Sequence, residues 1–302
     1  MTVAVQTQEQ RADEAAAAIR HHYDVGNDFY RLWLDDSLSY SCALWDGPDD
    51  TLERAQERKL RHHLDAVRAD GARRVLDIGC GWGAILDRLA VQHRVGQSVG
   101  LTLSEEQAAY VRAQGLPGVE VRIENWMHHQ PAEPYDGIIS IGAFEHFARP
   151  DESPAEKARI YREFFERCRG WLHDGGALSL QTIAYANMSP SDASSFIQQE
   201  IFPNADLPTF AEIAQAAEGV FEIESVGNGR LDYARTLEEW GRRLRANREL
   251  AVEVAGPETV ARYTRYLKLS ALGFRMGKLC LLRLVFRPYS ARLFDARGVT
   301  PR

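Results

Sequence analysis

The sequence predicts an α/β fold built on a doubly wound, mostly parallel sheet. Three observations carry this. Short apolar runs alternate with helical segments between residues 73 and 183, the rhythm of strands joined by helical crossovers. The first run passes into DIGCGWG (77–83), with three glycines where a strand should turn into a helix. Two later β-like runs, FEIESVG (221–227) and CLLRLVFRP (280–288), suit an antiparallel pair at the edge of the same sheet, for a total of seven strands.

Taken in order, residues 1–70 read as helices and loops, with TLERAQERKLRHHLDAVRAD (51–70) the clearest helix. Strands follow at RRVLDIG (73–79), SVGLTL (98–103), VEVRIEN (119–125), DGIISIG (136–142) and ALSLQTI (177–183). Helices fill the intervals at 83–92, 104–114 and 156–172. Two more, near 233–250 and 257–278, separate the late β-runs. On the first of these, Tyr233, Leu237, Trp240 and Leu244 share one face and should pack inward. The chain thus divides into an N-terminal helical segment (1–70), a sheet domain with helical insertions (71–288) and a tail (289–302).

The 302 residues are 45% hydrophobic and 26% charged, enough apolar material for one large α/β domain. A net charge of −7 argues against a nucleic-acid surface. The basic stretch WGRRLRANR (240–248) reads as the solvated face of a helix. Cys42, Cys80, Cys168 and Cys280 show no CxxC or metal-ligand spacing, so no metal site is expected and a reduced, cytoplasmic protein is. The first twenty residues lack the apolar core of a signal peptide, and no run is long enough to span a membrane. The pairs His62-His63 and His128-His129 read as surface histidines.

Ligands of such sheets bind beyond the carboxyl ends of the strands, where strand order reverses. Gly79, Gly81 and Gly83 would let a ligand lie against bare backbone there. Their spacing is GxGxG, not the GxGxxG of dinucleotide sites. The second strand runs out as GLTLSEEQ, with Thr102 where a dinucleotide enzyme places an acid for the ribose. Glu105 and Glu106 fall in the first turn of the next helix, where acids are favoured. A ribose would therefore be held by neutral groups such as Thr102 and Gln107.

At this point the chain resembles the cyclopropane fatty acyl phospholipid synthase family, including the mycolic-acid cyclopropane synthases. The matching stretches are HYDVGNDFYRLWLDDSLSYSCALW (22–45), VLDIGCGWGA (75–84), VGLTLSEEQ (99–107), SIGAFEHF (140–147), EIFPNADLP (200–208), DYARTLEEW (232–240) and RYTRYLKLSALGFRMG (262–277). The resemblance implies a class I, Rossmann-like methyltransferase that uses S-adenosylmethionine. By position, Tyr40 and Ser41 would reach the methionine end of that cofactor. Val75 to Gly83, with Asp77, Gly79, Cys80, Gly81 and Gly83, would wrap it. Thr102, Leu103 and Gln107 would hold the ribose side, Trp126 and Met127 would border the adenine, and Ile141 would complete the site. His22 belongs to the family's HYD motif, and Glu145 with His146 forms a pair that related N-methyltransferases set near an amine.

In the cyclopropane synthases a bound bicarbonate is thought to take the proton. The corresponding positions are Cys42, Glu145, Gln181, Ile183 and Tyr233. Four keep the family residue, whereas Gln181 stands where the family has histidine. Glutamine donates hydrogen bonds but cannot be protonated to balance an anion, which argues against bicarbonate and ring closure. Tyr30, Trp33 and Phe144 are aromatic candidates for stabilising a carbocation, core packing being their ordinary role. The segment 149–165 is longer than its mycolic counterpart, and AYANMSPSDASSFIQQ (184–199) is shorter and more polar, poor material for a long acyl tunnel.

The reading these features favour is methyl transfer to carbon of an unsaturated or acyl-type acceptor, a specialised metabolite included, free or carrier-bound. A true cyclopropane fatty acid synthase and a small-molecule N-methyltransferase share the same signals. An NAD-dependent oxidoreductase is disfavoured by GxGxG and Thr102. A non-catalytic binding module is disfavoured by Tyr40, Glu145 and Tyr233.

Overall fold

The structure is a computed structural model that describes residues 25–188 and 206–289. His21, His22, most of segment 184–199, the EIFPNA part of 200–208 and nearly all of the tail lie outside the described residues. Seven strands form one sheet: β1 (Arg74–Ile78), β2 (Gln97–Thr102), β3 (Val119–Ile123), β4 (Tyr135–Ile141), β5 (Leu172–Tyr185), β6 (Phe221–Asn228) and β7 (Leu279–Pro288). Their order across the sheet is β3-β2-β1-β4-β5-β7-β6. The first five pair in parallel, while β7 is antiparallel to both neighbours. The chain steps outward from β1 to β3 and then crosses to β4 on the other side of β1. That reversal opens a crevice beyond the carboxyl ends of β1 and β4.

The two late strands form the expected antiparallel pair at one edge of the sheet, with β7 on the inner side and β6 outermost. The sequences explain which of them lies outside. CLLRLVFRP is buried along nearly its whole length, as an interior strand must be, whereas most of FEIESVG faces outward. Three helices rather than two separate them: α7 (Arg230–Ala246), α8 (Arg248–Ala255) and α9 (Pro257–Arg275). The predicted 233–250 helix breaks at Asn247, whose backbone leaves the helical region. Between β5 and β6 lies an additional helix, α6 (Phe210–Ala217). It starts on a reciprocal Thr209/Glu212 capping box, a T-x-x-E signal present in the sequence.

The remaining helices are α1 (Asn27–Arg31), α2 (Leu52–Ala66), α3 (Ala84–Val91), α4 (Glu105–Ala113) and α5 (Pro154–Trp171). Alternate residues of the strands feed two apolar layers. Leu76, Ile138 and Leu178 pack with α5 and α6, while Val75, Ile139 and Ala177 pack with α2 and α3. A third, aromatic cluster lies at one end, where Phe29, Tyr30 and Trp33 of α1 meet Trp240 and Tyr263. Tyr30 and Tyr263 share a 2.8 Å hydrogen bond between their hydroxyls. The face of α7 expected to pack inward does so, and Arg242, Arg245 and Arg248 of the basic stretch are exposed.

Helix α2 carries an unusual inner face. Thr51 caps it, and Leu52, Ala55, Leu60 and Leu64 are buried, but so are Gln56, Lys59 and His63 at the same helical phase. Gln56 is fully buried and its amide donates to the carbonyls of Ser39 and Ser41 at 3.1 and 2.9 Å. His63 lies 2.8 Å from the Ser179 hydroxyl. The expectation of surface histidines therefore fails for His63, and also for His129, which bonds Tyr135 at 3.0 Å. In both cases a polar partner on a strand, distant in sequence for His63 and only six residues on for His129, makes burial tolerable. His128 is exposed as expected. Gln56→Leu keeps volume but removes both donors to buried carbonyls; urea unfolding of the apo chain should show a loss of about 1–3 kcal/mol.

Candidate active site

The turn after β1 crosses the mouth of the crevice, and its glycines serve different ends. All three have positive φ. A Cβ at Gly79 would stand 2.6 Å from the Ala143 side chain, and one at Gly83 would stand 2.8 Å from Val111. Gly81 has nothing within 4 Å and opens onto a cavity. Backbone N–H groups of Gly79 and Cys80 both donate to the Leu101 carbonyl at 2.9 Å, which locks the turn to β2.

That cavity measures about 210 Å³ and lies at the strand reversal. Tyr40, Ser41, Asp77, Gly79, Cys80 and Gly81 line it, together with Thr102, Leu103, Gln107, Trp126, Met127 and Ile141. Three residues of the expected stretch 75–83 do not. Gly83 is the αL cap of α3 and packs on α4, and Val75 and Leu76 are buried in the core. The end of β2 is neutral. The Thr102 hydroxyl donates to the Gln107 carbonyl oxygen at 2.8 Å and accepts from the Ser104 N–H, so Gln107 has its amide N–H groups left for a ligand. Glu105 and Glu106 are exposed, in keeping with a first-turn role.

A smaller cavity of about 40 Å³ adjoins the first, and Tyr40, Ser41, Gly142 and His146 line both. Its other walls include Cys42, Glu145, Gln181, Ile183 and Tyr233, so all the positions expected to handle a proton meet there. Glu145 follows β4 on a single 3₁₀ turn (Phe144–His146). One carboxyl oxygen accepts the Ile183 N–H at 2.6 Å, and the other is buried without a hydrogen-bond partner among the described residues. Burial pushes the Glu145 pKa up to about 7 and that of His146 down to about 4. The Cys42 thiol is pushed up to about 12, mainly by burial, and is no nucleophile.

Gln181 is held from behind. Arg283 of β7, itself buried, donates through Nε to the Gln181 carbonyl oxygen at 2.8 Å. A guanidinium only donates, so this contact sets the amide with its nitrogen turned the other way, 3.4 Å from the Cys42 carbonyl. Arg283 also reaches the Cys42 sulfur, the Ala43 carbonyl and Asp232. A full positive charge therefore stands one residue behind the position where the family's histidine was expected.

Sequence reasoning missed four residues here. Lys59 and Glu124 line the larger cavity, Tyr266 lines the smaller one, and Arg283 backs it. Arg283 had a signal, a lone charge inside an apolar strand. Lys59 had a weaker one, its phase with Leu52 and Leu60. Conversely, Tyr30, Trp33 and Phe144 line neither cavity. Tyr30 and Trp33 stand behind Tyr40, with ring centroids 5.5 and 5.3 Å away, and Phe144 stacks on Tyr161 at 4.5 Å. The aromatic rings that line the smaller cavity are those of Tyr40, Tyr233 and Tyr266. Infrared titration of the carboxyl band should show a group near pH 7 that disappears in the Glu145→Gln difference spectrum.

A family model described as mycolic acid cyclopropane synthetase matches residues 10–284. Cyclopropane mycolic acid synthase 2 of Mycobacterium tuberculosis is 35% identical over 269 residues, 83% of this chain and 87% of that protein. Among solved structures, the cyclopropane synthase MmaA2 of Mycobacterium tuberculosis superposes with a TM-score of 0.80 at 32% identity, covering 90% of this chain and 97% of that one. Mycolic acid cyclopropane synthase CmaA1, solved with SAH and CTAB, matches with the same TM-score of 0.80, identity of 32% and coverage. With a sheet, a glycine turn and a paired cavity of this kind, the chain belongs to the mycolic acid cyclopropane synthetase family of S-adenosylmethionine-dependent methyltransferases.

Proposed function

We propose that the chain methylates a carbon atom of an unsaturated or acyl-type acceptor, with S-adenosylmethionine in the larger cavity and Glu145 as the proton acceptor. The observation that carries this is the Glu145 carboxyl, anchored through one oxygen and free at the other, in a pocket that shares walls with the cofactor cavity. Bound S-adenosylmethionine supplies a methyl on a positively charged sulfur, already electrophilic. What remains for the protein is to orient it, exclude water and take up a proton.

In this reading Tyr40 and Ser41 face the sulfonium end, and Gly81 lets the cofactor touch backbone. Gln107 and Thr102 serve the ribose, and Trp126 and Met127 the adenine. Methyl transfer to an alkene forms one C–C bond, breaks the S–CH₃ bond and leaves a cation on the acceptor. The rings of Tyr40, Tyr233 and Tyr266 line the cavity in which that cation would form and would stabilise it through their π faces. Loss of a proton to Glu145 from an acceptor carbon beside the cation gives a methyl-branched alkene, and loss from the new methyl closes a cyclopropane ring. Ile183, Leu207 and Leu281 give the pocket apolar walls suited to an acyl-type group.

A second reading keeps bicarbonate as the base. The pocket volume of about 40 Å³ and the Arg283 charge behind Gln181 favour it. A bicarbonate would fit beside Glu145 only with that carboxyl protonated, since two adjacent anions repel. Rates in degassed, bicarbonate-free buffer separate the two, with Gln181→His measured alongside. Insensitivity in the wild type supports Glu145, whereas a strong requirement for bicarbonate overturns it.

Two further outcomes are expected. Gly81→Asp should abolish cofactor binding seen by calorimetry while the fold survives, because Asp tolerates the left-handed backbone there and the site is open. Glu145→Gln should lower kcat by about a hundredfold with little change in cofactor affinity. Because burial raises the Glu145 pKa to about 7, the wild-type rate should fall as pH drops through 7, and the variant should lose that limb. Carbon-13 methyl transfer followed by NMR of the product distinguishes carbon from nitrogen methylation.

A further inference from the structure

Lys59 is buried to 2% exposure on the inner face of α2, yet it lines the larger cavity. Its ammonium donates to the Ser41 hydroxyl at 3.1 Å, and no carboxylate among the described residues lies within ion-pairing distance of it. Ser41 is its one hydrogen-bond acceptor among the described residues, which leaves two of its three N–H donors for a ligand. The nearby Asp35 is already engaged by Ser37 and by the Ser39 N–H. Burial, with the Arg283 charge adding to it and Asp35 and Asp77 opposing it, pulls the Lys59 pKa down to about 8, as for an ammonium whose counter-charges are too distant to offset desolvation. A desolvated cation facing an open cavity is costly unless an anionic group completes it.

Resting on the methyltransferase reading above, the chemistry of the cofactor names that group. S-adenosylmethionine carries one anionic group, the carboxylate of its methionyl part. Asp77, buried in the same cavity at the end of β1, is pushed up to about 7 by burial and offers the opposite charge once a cation there favours its ionised form. We propose that Lys59 binds the methionyl carboxylate of S-adenosylmethionine, with Ser41 as its hinge point and Asp77 facing the α-ammonium. The pair presents a zwitterion-shaped charge pattern at one end of the cavity, so the site selects the amino-acid tail of the cofactor as well as its nucleoside.

The test compares two ligands that cannot turn over: S-adenosylhomocysteine and S-adenosyl-3-thiopropylamine, which lacks only the carboxylate. Calorimetry on the wild type should favour the first by about tenfold to a hundredfold, the weight of a charge-assisted hydrogen bond. In Lys59→Met and Lys59→Gln that preference should fall to about threefold or less, while affinity for the decarboxylated ligand stays as in the wild type. Lys59→Gln retains a donor for Ser41 and carries the test if the methionine variant melts in its apo form. A preference that persists in the variants, or a parallel loss for both ligands, overturns the proposal. Failure of the wild type to bind S-adenosylhomocysteine at all would instead overturn the cofactor reading beneath it.

Discussion

A guanidinium taken out of water must find acceptors for its donors, and Arg283 finds them on three segments far apart in sequence. From the interior strand β7 it reaches Gln181 on β5, Cys42 and Ala43 on the N-terminal segment, and Asp232 on α7. An unpaired buried charge would be strongly destabilising, so these partners cannot drift independently. The contact holds residues 40–43 over the ends of the strands, and that segment contributes walls to both cavities. Gly229 makes room for it, since a Cβ there would collide with the Arg283 side chain. The inner face of α2 works to the same end, with Gln56 gripping the carbonyls on either side of Tyr40.

The electrostatics around the smaller cavity follow from burial. Glu145 is raised to about 7, His146 is lowered to about 4 and Cys42 is raised to about 12, each chiefly by desolvation. Near neutral pH the imidazole and the thiol are uncharged, and Glu145 is poised between its two forms. This suits a reaction in which positive charge leaves a sulfonium, passes through the acceptor and departs as a proton. Fixed anions would hold the sulfonium in its ground state, whereas a carboxyl that titrates near 7 supplies negative charge when the proton leaves.

Much of this was legible in the chain because it is local. DIGCGWG had to be a strand-to-helix turn approached closely by something, and positive φ at Gly79, Gly81 and Gly83 agrees. GLTLSEEQ announced a neutral end to β2, and the Ser104 cap with exposed Glu105 and Glu106 is what such a run forms. The seven strands followed from apolar periodicity, the antiparallel pair at the edge included, whereas α6 was overlooked despite its capping box. The resemblance to cyclopropane synthases placed Cys42, Glu145, Gln181, Ile183 and Tyr233 together before any coordinates did.

What the sequence could not settle was which side chains complete one another across the fold. His63 looks like an ordinary helix residue until α2 and β5 are packed, and the signals of Lys59 and Arg283 mark them as odd without saying what they meet. Their roles depend on partners more than a hundred residues away, or on a cavity no single segment encloses. The same holds for the aromatic rings: Tyr30 and Tyr40 are alike in the sequence, and only packing puts one behind the other. Backbone geometry and strand periodicity are near-neighbour properties, so the sequence alone determined the sheet, the turn and the family. Burial, and the pKa shifts and unmet donors that burial creates, are properties of distant contacts, so only the tertiary structure decided where the charge resides.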